Sequence, residues 1–317
     1  MSAPAVTVCV LAYNHERYIH DCITSVVAQA EGLDVEVLVG DDQSTDGTPQ
    51  IVADLAVRHP NVIRHIRHAQ RLGGSGNHRF LLNAAAGDCI AHLDGDDYWL
   101  PGKLRAQLEF LAAHPGCAAV YTNALVIDEE GRQRGLFTGP QPELVSLDRL
   151  LQRGNFLNNS SMLFRRSALP LLLGIEGQFI DYQGHLRCAR QGPVGYLNRP
   201  LTAYRAGSTS SILVHANDHI RELYWQALLD VPRELVSADA LARGMADFLR
   251  RITFRSVRTG QPGMLLDWGR RVLAKAPTGN IRMLWLTACN VFVTAVELVR
   301  ARASSALTGS APGVLYP

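Results

Sequence analysis

The stretch DCIAHLDGDDYWLPGKL, residues 88–104, joins an apolar run to three carboxylates within four positions, Asp94, Asp96 and Asp97. Carboxylates this close repel one another, so a solvated loop gains nothing from carrying all three. CIAHL has the continuous apolar character of a strand buried on both faces, and the acids then stand at its carboxyl end.

Working outward, the segments before it alternate in the same way. VTVCVLAYN (6–14) is a buried strand, and HERYIHDCITSVVAQA (15–30) a helix with Ile19, Ile23, Val26 and Val27 as its apolar stripe. VEVLVGDD (35–42) is a second strand. TPQIVADLAVRH (48–59) is a helix with Thr48 as its cap and Pro49 at its first position. NVIRHIRH (61–68) is a third strand, and NHRFLLNAAAG (77–87) a helix closed by Gly87. Strict alternation of strand and helix implies a parallel sheet covered on both faces, and ligands of such sheets bind at the carboxyl ends of the strands. LAYN, GDD and LDGDD therefore project from one rim. Neither GxGxxG nor GxxxxGK[ST] follows the first strand, which disfavours a Rossmann dinucleotide site and a P-loop.

Beyond the acids the pattern is mixed. PGKLRAQLEFLAAHP is a helix, with Asp97 near its start as a possible cap, and AAVYTNALVID is a strand. EEGRQRG and TGPQPE are loop segments leading to a helix at SLDRLLQRG. NSSMLFRRSAL is a strand entering a helix, YQGHLRCARQG is helical and PVGYLNRPLTAYR strand-like. From about residue 216 the chain is all-helical, and its last residues, SSALTGSAPGVLYP, are small and polar enough to be disordered.

Hydrophobic residues at 47% and charged ones at 19% describe a globular protein with a sizeable core. From residue 215 onward there are 13 Arg and Lys against 8 Asp and Glu, whereas the rest of the chain is net acidic. An acidic front suits cation binding, and a basic rear suits an acidic or membrane partner. The excess is modest and no reader motif is present, so nucleic acid is not expected. The six cysteines form no CxxC pair and read as core residues of a reducing compartment; with no basic leader at the N-terminus, a cytoplasmic protein is expected. In LWLTACNVFVTAVELVRA the polar residues Thr287, Asn290, Thr294 and Glu297 form one helical line, and the run is too short to span a bilayer. It is read as packing on the domain or on a homodimer mate, with peripheral membrane contact as the alternative.

Asp-rich loops bind hard divalent cations. Neither cluster is an EF-hand, because the twelfth positions counted from Asp42 and Asp94 are Ala53 and Arg105. Asp94 and Asp96, spaced D-x-D at a strand terminus, suit a magnesium or manganese site that keeps positions open for phosphate oxygens. A capping role needs one acid rather than three.

With LAYNHERYIHDCITSVVAQ, EVLVGDDQSTDGT, RLGGSGN, GDCIAHLDGDDYWLPGKL and IDYQGHLRCARQGPVGYLNRPLTAYR in this order, the chain resembles the family-2 inverting glycosyltransferases of the GT-A fold over roughly residues 6 to 211. The resemblance implies an α/β fold: one large GT-A-like domain with a mostly parallel central sheet flanked by helices, plus a C-terminal helical extension. Residues 1–100 would be the nucleotide-sugar-binding half, 101–215 the acceptor-binding half, 216–303 the extension and 304–317 a disordered tail. It further implies that Leu11, Ala12 and Tyr13 line the nucleotide base, that Asp42 accepts a hydrogen bond from a uracil or thymine N–H, and that Asp94 lies near the ribose and metal-bound water. Asp96 would bind the metal directly, and Asp181 would be the general base. Asp41 and Asp46 organise their turn through bonds to backbone N–H groups. Where the family's loop commonly reads Asn-x-Gly this chain has Arg71-Leu72-Gly73, so Arg71 reads first as a surface arginine, with a base or diphosphate contact offered by its chemistry rather than by match. Where many relatives carry histidine two residues after Tyr-Arg, this chain has Gly207, leaving Arg205 and Ser208 as phosphate partners.

The implied function is transfer of a sugar from a nucleoside-diphosphate sugar, UDP or dTDP, to a saccharide or lipid-linked acceptor in cell-surface polysaccharide or glycolipid synthesis. The cofactor would be a divalent cation, Mn or Mg. A nucleotidyltransferase making the nucleotide sugar would open with a Gly- and Lys/Arg-rich loop after the first strand, which LAYNHERY lacks. A non-catalytic nucleotide-binding relative would not be expected to keep Asp42, Asp94, Asp96 and Asp181 together.

Overall fold

The computed structural model describes residues 4–207, 218–308 and 313–316. Its centre is β1 (Val6–Ala12), where Val6, Val8, Cys9 and Val10 are inaccessible to solvent, as a strand flanked on both sides and covered on both faces requires. It is followed by α1 (Ile19–Val27), β2 (Val35–Asp41), α2 (Thr48–Arg58), β3 (Ile63–Arg67), α3 (Gly73–Ala84) and β4 (Cys89–Asp94). The four strands run parallel in the order β3-β2-β1-β4, as the alternation predicts. On α1 the buried residues are Ile19, Cys22, Ile23 and Val26; Cys22 takes the place expected for Val27, which is half-buried. All six cysteines are free thiols.

Two helix boundaries differ from the sequence reading. Thr48 is not a cap: Gly47 precedes the first turn, and the Thr48 hydroxyl accepts the His15 N–H at 2.8 Å. Helix α3 begins at Gly73 because the Asp42 carboxylate gathers the N–H groups of Leu72 and Gly73, and it ends before Gly87. Gly87 instead lies against β1, where a Cβ would sit 2.4 Å from the Thr7 nitrogen.

The second half continues through β5 (Tyr98–Trp99), α4 (Lys103–Ala113), β6 (Ala119–Ile127), β7 (Gln133–Thr138), β8 (Leu144–Val145), α5 (Leu147–Arg153), β9 (Leu163–Arg165), α6 (Leu169–Leu173), α7 (Asp181–Cys188) and β10 (Val194–Arg205). β9 extends the sheet antiparallel to β4, and β6 pairs with β9 on its far side. The charged EEGRQRG segment is not simply a loop. It turns at Gly131, around an Asp128 carboxylate that accepts the N–H groups of Glu130 and Arg132, and its end enters β7 of a β6–β7 hairpin. Strand β10 lies parallel to β6 and delivers Arg205 to the acid loop.

Helices α8 (Asp218–Leu229), α9 (Ala238–Thr259), α10 (Pro262–Leu273) and α11 (Asn280–Thr308) form the extension. Trp225, Phe248, Trp268 and Met283 share one apolar core with Phe156, Tyr182 and Leu186, so the extension packs directly on the half that carries Asp181. Arg187 on α7 donates two hydrogen bonds to Asp230 at 2.7 and 2.9 Å, and Arg190 adds a third at 2.6 Å. Part of the stretch expected to be disordered is ordered: α11 runs to Thr308, and β11 (Val314–Tyr316) adds a parallel edge strand to β7. Gly135 makes that approach possible, since a Cβ there would lie 2.5 Å from the Gly313 oxygen.

Helix α11 turns Met283 and Leu286 inward and leaves Ile281, Leu284, Trp285, Phe292 and Val299 exposed. These five recur at helical spacing, on the side opposite the line of Thr287, Asn290, Thr294 and Glu297. Among the described residues no helix is long and apolar enough to cross a membrane. Removing the carboxylate in Asp230→Ala leaves two guanidinium groups unpaired where α7 meets the extension. The variant is expected to lose about 2 kcal/mol of stability, read as a lower urea midpoint; an unchanged midpoint would show that this junction does not hold the two parts together.

Candidate active site

The carboxyl ends of β1, β2 and β4 are level, with Leu11 opposite Asp94 and Ala12 opposite Asp41. The acid loop then crosses over β1, and the Gly95 N–H donates to the Leu11 carbonyl at 2.9 Å. A Cβ at Gly95 would lie 2.7 Å from that oxygen and 2.5 Å from the His15 Nδ1, so the residue between the two acids has to be glycine.

The three acids of the loop are not equivalent. Asp97 is buried and its carboxyl accepts the Arg205 backbone N–H at 2.8 Å. Burial, with Asp96 and Asp94 adding like charge, pushes its pKa well above the carboxylate range. It does not cap the following helix, whose N-terminal flank is Gly102. Asp94 faces the cleft, bonded to the His92 Nε2 at 3.0 Å and to the Ser160 hydroxyl at 3.3 Å. Burial works to raise its pKa, but the His92 charge and hydrogen bond outweigh it and the net direction is down. Asp96 is buried at the cleft wall. Arg205 spends its guanidinium on the carbonyls of Asp96, Asp128 and Glu129 and lies over the Tyr18 ring, so it fixes the loop rather than standing ready for a phosphate. Ser208, the other phosphate partner expected, lies outside the described residues.

At the β2 end, each oxygen of the Asp42 carboxylate accepts one backbone N–H, from Leu72 at 2.6 Å and Gly73 at 2.9 Å, and retains a second lone pair. Arg71 is not merely a surface arginine. Its guanidinium lies 3.7 Å over the Tyr13 ring and 3.9 Å from Asp42, joining the ends of two strands. The loops after β1 and β2 are tied by Asn14 to Ser44 and Thr45, and by Glu16 to Asp46 and Gly47. Asn14 and Gln43 take positive φ there, a strained backbone these bonds maintain. Asp41 and Asp46 organise the turn as the sequence suggests, accepting the N–H groups of Ser44 and Thr48.

Asp181 is the first residue of α7, facing the acid loop from the second half of the chain. Its carboxylate accepts hydrogen bonds from Asn155 at 2.9 Å and from the Tyr182 N–H at 2.7 Å. Burial raises its pKa to about 6, against the opposing pull of those two bonds. The side-chain oxygen of Asn155 in turn meets the His185 Nδ1 at 3.2 Å. Burial pushes His185 and His78 down to about 3, so both are neutral imidazoles at pH 7.

Leu11, Ala12, Tyr13, Asp42, Arg71, Asp94, Asp96 and Asp181 all line one cleft of about 870 Å³. The structure adds His15, His78, His92, Asn155 and His185 to its walls, none of them singled out from sequence. His92 was accessible to such reasoning, standing two residues before Asp94 on the same strand face. Asn155, in the irregular RGNFLNN segment, carries no such signal.

A divalent cation fits this donor set. Among the described residues no three His, Cys, Asp or Glu side chains come together as a closed metal site. Hard carboxylate oxygens from Asp94 and Asp96 beside an open cleft match magnesium or manganese, which are held by one or two carboxylates plus substrate phosphates.

The sequence profile described as Glycosyl transferase family 2 matches residues 7–171. Uncharacterized protein Rv1520 of Mycobacterium tuberculosis is 33% identical over 282 residues, covering 87% of this chain and 77% of its own. S. aureus TarS 1-349, solved with UDP-GlcNAc, superposes with a TM-score of 0.63 at 17% identity over 98% of this chain and 93% of its own. The mannosyltransferase PcManGT of Pyrobaculum calidifontis, solved with GDP-Man and Mn2+, gives 0.55 at 18% identity over 92% and 88%. At these identities the structural likenesses establish a shared GT-A-type fold, and the sequence matches go further: the chain belongs to glycosyl transferase family 2.

Proposed function

We propose that the chain is an inverting glycosyltransferase that moves a sugar from a UDP- or dTDP-sugar to an acceptor hydroxyl in cell-surface polysaccharide or glycolipid synthesis. The observation that carries this reading is the meeting of Asp42, Asp94 and Asp96 with Asp181 in one cleft. Leu11, Ala12 and Tyr13 receive the base, Arg71 contacts it or the diphosphate, and Asp42 accepts its N–H. Asp94 would lie near the ribose and, beside it, Asp96 would hold the cation. When bound, a divalent cation neutralises the charge that builds on the diphosphate leaving group. The relatives solved with UDP-GlcNAc and with GDP-Man and Mn2+ are consistent with such a donor and cofactor. Residues 1–100 then form the donor half and 101–215 the acceptor half.

Asp181 takes the proton of the acceptor hydroxyl as that oxygen attacks the anomeric carbon. A carboxylate with a pKa of about 6 is ionised at pH 7 and more basic than an exposed one. His185 and His78, both neutral at pH 7, do not reduce that basicity, and the lowering effect of the His92 charge is outweighed by burial. The other carboxylates lining the cleft are Asp42, Asp94, Asp96 and Asp97, all on the donor side. Among the described residues Asp181 is the one carboxylate opposite them, an arrangement that suits single displacement with inversion.

Helix α11 packs on the domain through Met283 and Leu286, and its opposite, exposed apolar stripe, with the net basic charge after residue 215, favours docking on an anionic membrane surface at the cytoplasmic face over a homodimer mate.

Kinetics, titration and vesicle binding test this reading. Asp181→Asn is expected to lower turnover by about 10²- to 10⁴-fold while leaving nucleotide-sugar affinity intact, and Asp96→Ala to abolish the manganese-dependent part of that affinity. Wild-type turnover in the first, equal titrations in the second, or release of pyrophosphate instead of nucleoside diphosphate would contradict it. The pH profile of kcat/KM should rise as pH passes about 6, because below that value Asp181 holds a proton and cannot accept another. Asn155→Ala removes a bond donated to the ionised form, so the inflection should move to higher pH; an unmoved inflection would assign it to another group. Finally, the protein should sediment with vesicles containing phosphatidylglycerol, and Trp285→Ser with Phe292→Ser should weaken this by about tenfold. Concentration-dependent dimerisation lost in the same double variant would show that a second copy covers the stripe instead.

A further inference from the structure

Two helices of the extension close the cleft on the side of Asp181. From α8 come Ile220, Arg221 and Tyr224, and from α9 come Phe248, Arg251, Ile252 and Arg255. The α9 residues are spaced by three, one and three, so they share one helical face. This wall is joined to the proposed base through packed groups. Tyr182, adjacent to Asp181, stacks on Tyr224 at 4.8 Å, and Tyr224 on Phe248 at 5.8 Å. Gly154, next to Asn155, has left-handed φ, and a Cβ there would lie 2.9 Å from the Arg251 guanidinium and 3.0 Å from the Tyr224 hydroxyl.

Among the described residues this wall brings three arginines, Arg221, Arg251 and Arg255, to the cleft. Asp247 is the carboxylate for both Arg250 and Arg251, at 2.6 and 2.8 Å, and Arg221 pairs with the exposed Asp218. The half-buried Arg255 has its Nε inaccessible to solvent and without a hydrogen-bond partner among the described residues. A guanidinium N–H shut off from water without an acceptor is costly, and an anion entering the cleft would supply one. In the proposed reading the donor's diphosphate belongs to the acid loop, with Asp94 and Asp96, which leaves this wall to the acceptor.

Resting on the proposed transferase reading, we infer that the acceptor carries a phosphate group, held by Arg255 together with Arg221 and Arg251 and flanked by Ile220, Phe248 and Ile252. Guanidinium forks match the oxygens of a phosphate in pairs, and several forks on one wall suit its charge better than that of a carboxylate. The acceptor hydroxyl would then reach Asp181 from the phosphate side. Two sources share this chemistry, a lipid phosphate and a phosphorylated water-soluble saccharide or alditol.

The test is calorimetric titration of the full chain, preloaded with UDP and manganese, with dodecyl phosphate, glycerol 3-phosphate and the uncharged dodecyl maltoside. One or both phosphates should bind and the maltoside should not. Binding of dodecyl phosphate alone identifies a lipid source, and binding of glycerol 3-phosphate a soluble one. Arg255→Gln should weaken phosphate binding by about tenfold or more, with Arg255→Lys in between and UDP affinity unchanged. The inference is overturned if neither phosphate binds, if Arg255→Gln binds them as the wild type does, or if UDP affinity falls in parallel. Failure of the underlying reading looks different: UDP then does not bind the wild-type protein, and the phosphate titrations of wild type and Arg255→Gln, repeated without nucleotide, still test the phosphate site by themselves.

Discussion

The arrangement of the cleft depends on the clasp between the acid loop and the end of β10. Asp97 lies beneath the loop and takes the backbone N–H of Arg205, while the guanidinium of Arg205 ties the carbonyls of Asp96, Asp128 and Glu129. Two unit charges at 4 Å interact by about 4 kcal/mol at the effective dielectric of a protein surface, so three ionised carboxylates in four residues would push the loop apart. Burial, with the like charge of Asp96 and Asp94, raises the pKa of Asp97 well above the usual range, the direction that works against that repulsion. Asp97 is the structural acid of the three, and Asp94 and Asp96 are left to meet a ligand.

Around this clasp, the backbone sets the positions of the remaining groups. Gly95 lets the loop touch β1, and the level strand ends bring Asp42 and Tyr13 to the same rim. Asp181 arrives from the other half of the chain on the first turn of α7, and Arg187 and Arg190 bind that region to the extension through Asp230. The helices after residue 217 therefore do more than cover the core. They supply one wall of the cleft, and their charge gives that wall a chemistry the parallel sheet lacks.

The parallel half and its acidic rim were legible in the sequence because both follow from short-range pattern. Apolar runs ending in LAYN, GDD and LDGDD predict strands whose polar ends share an edge, and the structure places Asp42, Asp94 and Asp96 there. What was not legible depends on contacts between distant segments. Arg205 reads as a phosphate ligand until its carbonyl partners are seen, and Asp97 reads as a cap until Arg205 reaches it. Thr48 has the sequence of a cap, but its hydroxyl serves His15 from another loop. Asn155 sits in a segment without periodicity, and only the fold brings it to Asp181. Lys103 follows a helix-starting Pro-Gly, yet it is fully buried, bonded to Gln107 at 2.7 Å and 3.8 Å over the Trp99 ring, a placement no exposed-lysine expectation contains.

The central claim is that acids from separate strands hold a cation and a nucleoside diphosphate at one rim, facing Asp181. Anomalous diffraction at the manganese edge, from crystals grown with UDP and manganese, tests it most directly. The account predicts a single strong peak beside the Asp96 carboxylate, with the diphosphate on it and the uracil ring between Tyr13 and Asp42. A manganese peak away from Asp94 and Asp96, or a nucleotide bound outside the cleft that contains Asp181, would contradict it.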